Sequence, residues 1–205
     1  MCPPLERIRG KKAEEILKEY GEYEKVPVDI MKILKKIGAF VIEDDLSFLE
    51  DDEDIKKNIE KYGELCGVIL ATKRNLGVFF KKLDVDYKNI EKVNSAKHRS
   101  RFTLAHELAH CALHTDNIGD GYVEYRFENG MTNINDAYSH REEEANIYAG
   151  ELLIPEHSLN EMINKLEVPS INALSKIFDV SGNVMKARME YLGREYLNDI
   201  PGKEC

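Results

Sequence analysis

The sequence predicts an α+β fold: a small β-sheet packed against helices, with additional helices at both ends of the chain. Three observations lead there. Helical spacing of apolar residues dominates both ends. Two short β-like runs flank a polar turn near the middle. Two longer helical segments follow, one from Arg101 and one from Ser139. At 205 residues, 42 % hydrophobic and 33 % charged, the chain can fill one sizeable core and carries too much apolar material for a disordered segment.

Taken in order, Gly10 to Tyr20 reads as a helix, with Ala13, Ile16, Leu17 and Tyr20 three and four apart. Gly21 breaks it. Asp29 caps a second helix with apolar positions Ile30, Ile33, Leu34 and Ile37, ended by Gly38. Ala39 to Ile42 is β-like. The acidic stretch Glu43 to Asp54 reads as a solvated loop, or as a docking surface for a basic partner. Cys66–Ala71 and Leu76–Phe80 are two strands around the turn Thr72 to Asn75. A helix starts at Arg101. The glycine- and asparagine-rich segment Asp116 to Asp136 is mostly loop, with a strand at Tyr122 to Phe127. The next helix runs from Ser139 to Ile154, where Pro155 ends it. Two more follow, at Ile171 to Phe178 and after Ser181, the last with a face of Val184, Ala187, Arg188, Tyr191 and Leu192. The expected organisation is a helical extension over 1–24, a central domain over 25–156 and a helical region over 157–205 packing on it.

Acidic residues outnumber basic ones 38 to 29, for a net charge of −9. That balance argues against nucleic acid as the first partner and suits a basic protein. The charged, proline-bearing start lacks the apolar stretch of a secretory signal, and no apolar run approaches the roughly 20 residues of a membrane helix. The four cysteines, at 2, 66, 111 and 205, form no Cys-x-x-Cys pair. A reduced cytoplasmic setting is expected, with Cys111 as a small packing residue.

The chemistry lies in His106-Glu107-Leu108-Ala109-His110. On a helix, residues four apart share a face, so both imidazoles can reach one tetrahedral metal ion. Glu107 stands beside the first of them and can take a proton from water at that metal. A catalytic site needs a third protein ligand. The metzincin extension would require glycine at 113 and histidine at 116, where this chain has Leu113 and Asp116. His114 lies about 80° around the helix from His106, better placed to pack or cap. A glutamate from the helix opened by Arg141-Glu142-Glu143-Glu144-Ala145-Asn146 suits the role, with Asn146 one turn on to orient a ligand. Chemistry alone does not choose among Glu142, Glu143 and Glu144.

The run Arg101-Phe102-Thr103-Leu104-Ala105-His106-Glu107-Leu108-Ala109-His110, with Leu113-His114, Glu142-x-x-Ala145-Asn146-x-x-Ala149-x-x-Leu152-Leu153-x-Pro155, Val26 to Ile30, and Val180 to Gly193, resembles the ImmA/IrrE family of zinc metallopeptidases. The resemblance spans roughly residues 10 to 195. It implies a compact zincin-like domain in which a small sheet packs against the histidine-bearing helix and a glutamate-bearing helix. It further implies one zinc ion per chain held by His106, His110 and Glu142, with Glu107 as the catalytic base. The best understood family members cleave a helix-turn-helix repressor in phages, mobile elements and stress loci, so a protein substrate of that kind is expected here. Ala109, Tyr148 and Ile154 depart from the family's usual glycine, phenylalanine and methionine without touching the chemistry. Manganese or iron would fit the same ligands.

Tyr138, His140 and Tyr148 are candidates for an oxyanion donor, and Leu76–Phe80 is the expected sheet edge for an extended substrate. A non-proteolytic metal-binding interaction module is the alternative function. A direct transcriptional regulator is a third, resting only on the short basic cluster Lys92, Lys97, His98, Arg99 and Arg101.

Overall fold

The structure, a computed structural model, describes residues 2–72, 74–82, 88–115, 121–127 and 136–194, without the side chains of 124 and 136–139. Those residues form helices α1 (Ala13–Tyr20), α2 (Ile30–Ile37), α3 (Glu53–Tyr62), α4 (Ile90–Leu113), α5 (Asp136–Leu153), α6 (Glu156–Lys165), α7 (Ile171–Phe178) and α8 (Gly182–Tyr191). The strands are β1 (Phe40–Asp44), β2 (Leu65–Ala71), β3 (Leu76–Lys81) and β4 (Tyr122–Phe127). The α+β architecture expected from the sequence is present.

Local chemistry sets several boundaries. Asp29 accepts a hydrogen bond from the Lys32 N–H at 2.9 Å, and Gly38 closes α2 at a φ of +95° that a side chain would resist. Ser181 caps α8 by accepting from the Val184 N–H at 3.2 Å. The buried face of α8 is Met185, Arg188 and Met189, with Val184 and Leu192 of the expected stripe packed partly buried beside it, whereas Ala187 and Tyr191 are exposed.

The sheet runs β1-β3-β2-β4, with β1 parallel to β3 and β2 antiparallel to both its neighbours. This corrects the expectation that Leu76–Phe80 is an edge. The chain leaving α2 lays β1 along the outer side of β3, in the register Phe40↔Gly77, so β3 is paired on both sides. Among the described residues the sheet's edges are β1 and β4.

The main core gathers residues from Leu5 to Met189, including α1, α2, the sheet face formed by Ile69, Val78 and Phe80, and the buried sides of α4, α5, α7 and α8. A second cluster of Leu46, Ile55, Tyr62, Leu65, Val68 and Phe127 lies elsewhere on the sheet. It corrects the reading of Glu43 to Asp54 as a plain solvated loop. Leu46 is fully buried, Asp52 caps α3, and α3 seals this smaller core. The helix expected from Arg101 begins at Ile90, where Asn89 accepts from the Lys92 N–H at 3.1 Å. Seven of its first ten residues are polar and most are exposed, so Ile90, Val93 and Ala96 make no stripe that a core would bury. No described helix is long and apolar enough to cross a membrane.

Candidate metal centre

Every residue of α4 from Thr103 to Ala112 is buried, because this half of the helix lies between the sheet and α5. Small residues make that enclosure possible. Ala105 and Ala109 on α4, and Ala145 and Ala149 on α5, are fully buried and let the two backbones approach. The consequence is a polar cluster in the interior: His106, Glu107 and His110 are each only 1 % exposed. Isolated buried groups of this kind would be costly, so their partners define the site.

Residue 142 on α5 is the glutamate that meets both histidines. Its Oε1 lies 3.0 Å from His110 Nε2 and its Oε2 lies 3.3 Å from His106 Nε2. The two imidazole Nε2 atoms are 2.8 Å apart. All three donor atoms sit within 4.8 Å of one another. Glu143 and Glu144 are exposed, Glu144 reaching only His114 at 3.8 Å. His114 itself caps α4 and faces the Arg141 carbonyl at 3.1 Å, which keeps it out of the cluster.

The protonation pattern suits a cation. His106 Nδ1–H donates to Asn146 Oδ1 at 2.9 Å, so Nε2 keeps its lone pair and directs it at His110 and Glu142. Burial, reinforced by the positive charge of Arg126, pushes the His106 pKa down to about 3, although the Glu142 carboxylate would favour the protonated ring. The imidazole is therefore neutral at physiological pH. Burial pulls the Glu142 carboxyl upward, but the two imidazoles against it outweigh burial and hold the group well below the usual range. A neutral nitrogen, a second imidazole and a carboxylate thus converge on one point, with more acceptor lone pairs than protons to share. A divalent ion satisfies such a set, and His-His-Glu is a donor set suited to zinc.

Glu107 lies on the sheet side of α4. Gly67 of β2 faces it: a Cβ added there would meet Glu107 Oε1 at 3.3 Å and Thr103 Cγ2 at 3.2 Å. Gly67 is a site residue that sequence reading missed, because a glycine inside an apolar strand gives no hint of what approaches it. Arg126, paired with Gly67 across the β2–β4 ladder, is another.

The oxyanion candidates fare differently. The Tyr148 hydroxyl donates to the Lys11 carbonyl at 2.5 Å and serves the α1–α5 contact instead. His140 is exposed. The Tyr138 side chain, like Asp116, lies outside the described residues. Of the basic cluster, Lys97, His98 and Arg101 converge on Asp179 at 2.8, 3.4 and 3.3 Å, so these side chains are engaged in holding α4 to the end of α7.

Fold and site together define a compact zincin-like α+β domain with a three-residue cluster able to hold a metal ion. Residues 90–190 match the family model described as Peptidase_M78, IrrE N-terminal-like domain. This stretch of the chain, residues 90–190, is thus a domain of the ImmA/IrrE family of peptidases. Comparison with curated proteins gives no match.

Proposed function

We propose that this protein is a zinc-dependent endopeptidase that cleaves a specific regulatory protein, such as a helix-turn-helix repressor, with His106, His110 and Glu142 as metal ligands and Glu107 as the base. The observation that carries the reading is the convergence of those three donors beside Glu107 inside a domain of a peptidase family.

Zinc at this centre would supply Lewis-acid polarisation of the scissile carbonyl and a lowered pKa for water. The chain's own residues do the rest. Glu107 accepts a proton from the attacking water as its oxygen bonds to the carbonyl carbon. It then delivers that proton to the amine nitrogen as the C–N bond breaks, so the proton count closes. Asn146 fixes the His106 ring and its tautomer. An extended substrate would lie along β4, the sheet edge paired to β2 next to Gly67 and Glu107.

The net charge of −9 supports a basic protein partner, and the absence of an apolar spanning helix among the described residues accords with action away from the bilayer. The expected division at 24 and 156 is kept as part of the same reading. Support for treating the three segments as one folding unit comes from the single core shared by Leu5, Ile16, Leu108, Leu152 and Met189.

A trapping experiment tests the proposal. Glu107→Gln protein should retain zinc, hold its target and leave it uncut. Recovery of a helix-turn-helix repressor on this variant, with the cleaved repressor in cells carrying the wild type, is the expected result. Equal recovery of one uncut partner by both proteins would overturn it in favour of a non-proteolytic module.

A further inference from the structure

Beside the candidate metal centre lies a cavity of about 330 Å³, walled by α4, β2, β4 and the start of α8. Its cations are Arg126 and Arg99, and no aspartate or glutamate lines it among the described residues. In a chain with nine more acidic than basic residues, this is a local inversion of charge.

Arg126 dominates the cavity. Its partner across the ladder is Gly67, whose missing Cβ would point at Glu107 and Thr103, so Arg126 projects from the same face of the sheet toward α4. Its guanidinium carbon lies 5.4 Å from the Phe102 ring centroid, and that ring lies 6.2 Å from the His106 ring. Nη1 of Arg126 is buried and has no hydrogen-bond partner among the described residues. A desolvated guanidinium N–H without an acceptor is costly, and the planar fork fits a carboxylate. Asp179 does not line the cavity and is already engaged by Lys97, Arg101 and the cavity-lining His98.

We infer that the Arg126 cavity is a subsite for the carboxylate side chain of an aspartate or glutamate in the substrate, close to the scissile bond. The inference rests on the endopeptidase reading for its position in a reaction, but the binding it describes can be measured without one. A strand laid on the β4 edge would present the residue opposite Arg126 to the same face of the sheet, toward the cavity. Arg126 is thus a specificity residue, with Arg99 at the exposed side adding charge. An overall basic partner bearing one acid at the cut site suits both the acidic surface and the cationic cavity.

The test uses zinc-loaded Glu107→Gln protein and two fluorescent peptide pools, one with Asp or Glu at each varied position and one with Asn or Gln. The acidic pool should bind about tenfold tighter, an advantage that shrinks with added salt and vanishes in Arg126→Gln. Arg126→Lys keeps the charge and stem, and should retain part of the preference if the glutamine variant fails to fold. Equal binding of the pools, no binding of the acidic pool, or a preference that survives Arg126→Gln would each overturn the subsite. Digestion of the same pools by wild type separates the two claims. Cleavage with no acid at a fixed distance from the cut removes the subsite and leaves the peptidase. Acid-selective binding without cleavage of any peptide removes the peptidase and leaves the subsite.

Discussion

Asn146 Oδ1 accepts a hydrogen bond from His106 Nδ1 at 2.9 Å, across the interface between α5 and α4. This contact decides which nitrogen of His106 is available to a metal, and it comes from the same helix, one turn on, as Glu142. One helix therefore supplies both a donor of the candidate metal cluster and the group that orients another. Asn146→Ala should lower zinc affinity by roughly 10–100-fold while leaving the helical content intact, measured by competition with a chromophoric chelator. Asn146→Asp, which keeps an acceptor, should lose much less. Equal affinity in wild type and Asn146→Ala would show that the tautomer is held by other means.

Gly67→Ala probes the sheet side of Glu107. The added methyl would press on Glu107 Oε1 and Thr103 Cγ2 at distances tighter than ordinary contact, with the Phe79 carbonyl 3.3 Å away on the remaining side. Peptide hydrolysis should fall by about an order of magnitude or more, with zinc content unchanged, because the added methyl meets Glu107 and not His106, His110 or Glu142. Loss of zinc along with activity would show instead that the helix itself had shifted.

Tyr148→Phe separates a packing role from a catalytic one. Removing the hydroxyl leaves the Lys11 carbonyl without its donor and should cost about 1 kcal/mol of stability, read by chemical denaturation. Turnover of a cleaved peptide should not change. A large fall in kcat at constant KM would return Tyr148 to the chemistry.

Glu22 offers a pH test remote from the metal centre. Its carboxylate is fully buried, with Oε1 accepting from Lys25 at 2.8 Å and Lys32 at 2.7 Å, and Oε2 from the Asp29 N–H at 3.2 Å. Burial pulls its pKa up, but these three hydrogen bonds outweigh it and hold the group below the ordinary 4.5. A depressed carboxyl stabilises the fold above the unfolded-state pKa, and that contribution fades as pH falls from about 4.5 through the folded value. Glu22→Gln should cost about 1–2 kcal/mol at neutral pH and flatten the acid limb of the stability curve. An unchanged acid limb would assign that slope to other carboxylates.

Much of this domain is legible in one sequence. The caps and stops of α2 and α8 are local, since Asp29, Gly38 and Ser181 act on backbone groups within a few residues. The spacing of His106 and His110 fixes a shared helix face in the same way. The signal for α6 was also present in Leu159, Met162, Ile163 and Leu166, although Pro155 drew attention only to the end of α5. The first turns of α4 carried no such signal, because a solvent-facing helix has no apolar stripe to display.

The sequence by itself determined the helix bearing two imidazoles, the adjacent acid, and a short list of glutamates for a third donor. Only the tertiary structure decided that residue 142 meets both histidines, that β4 and not β3 lies at an edge of the described sheet, and that Gly67 faces Glu107 with Arg126 paired beside it. Spacing along one helix is a matter of fixed local geometry. Which helix turn faces which strand depends on how buried surfaces pack across long stretches of chain, and no single segment encodes that.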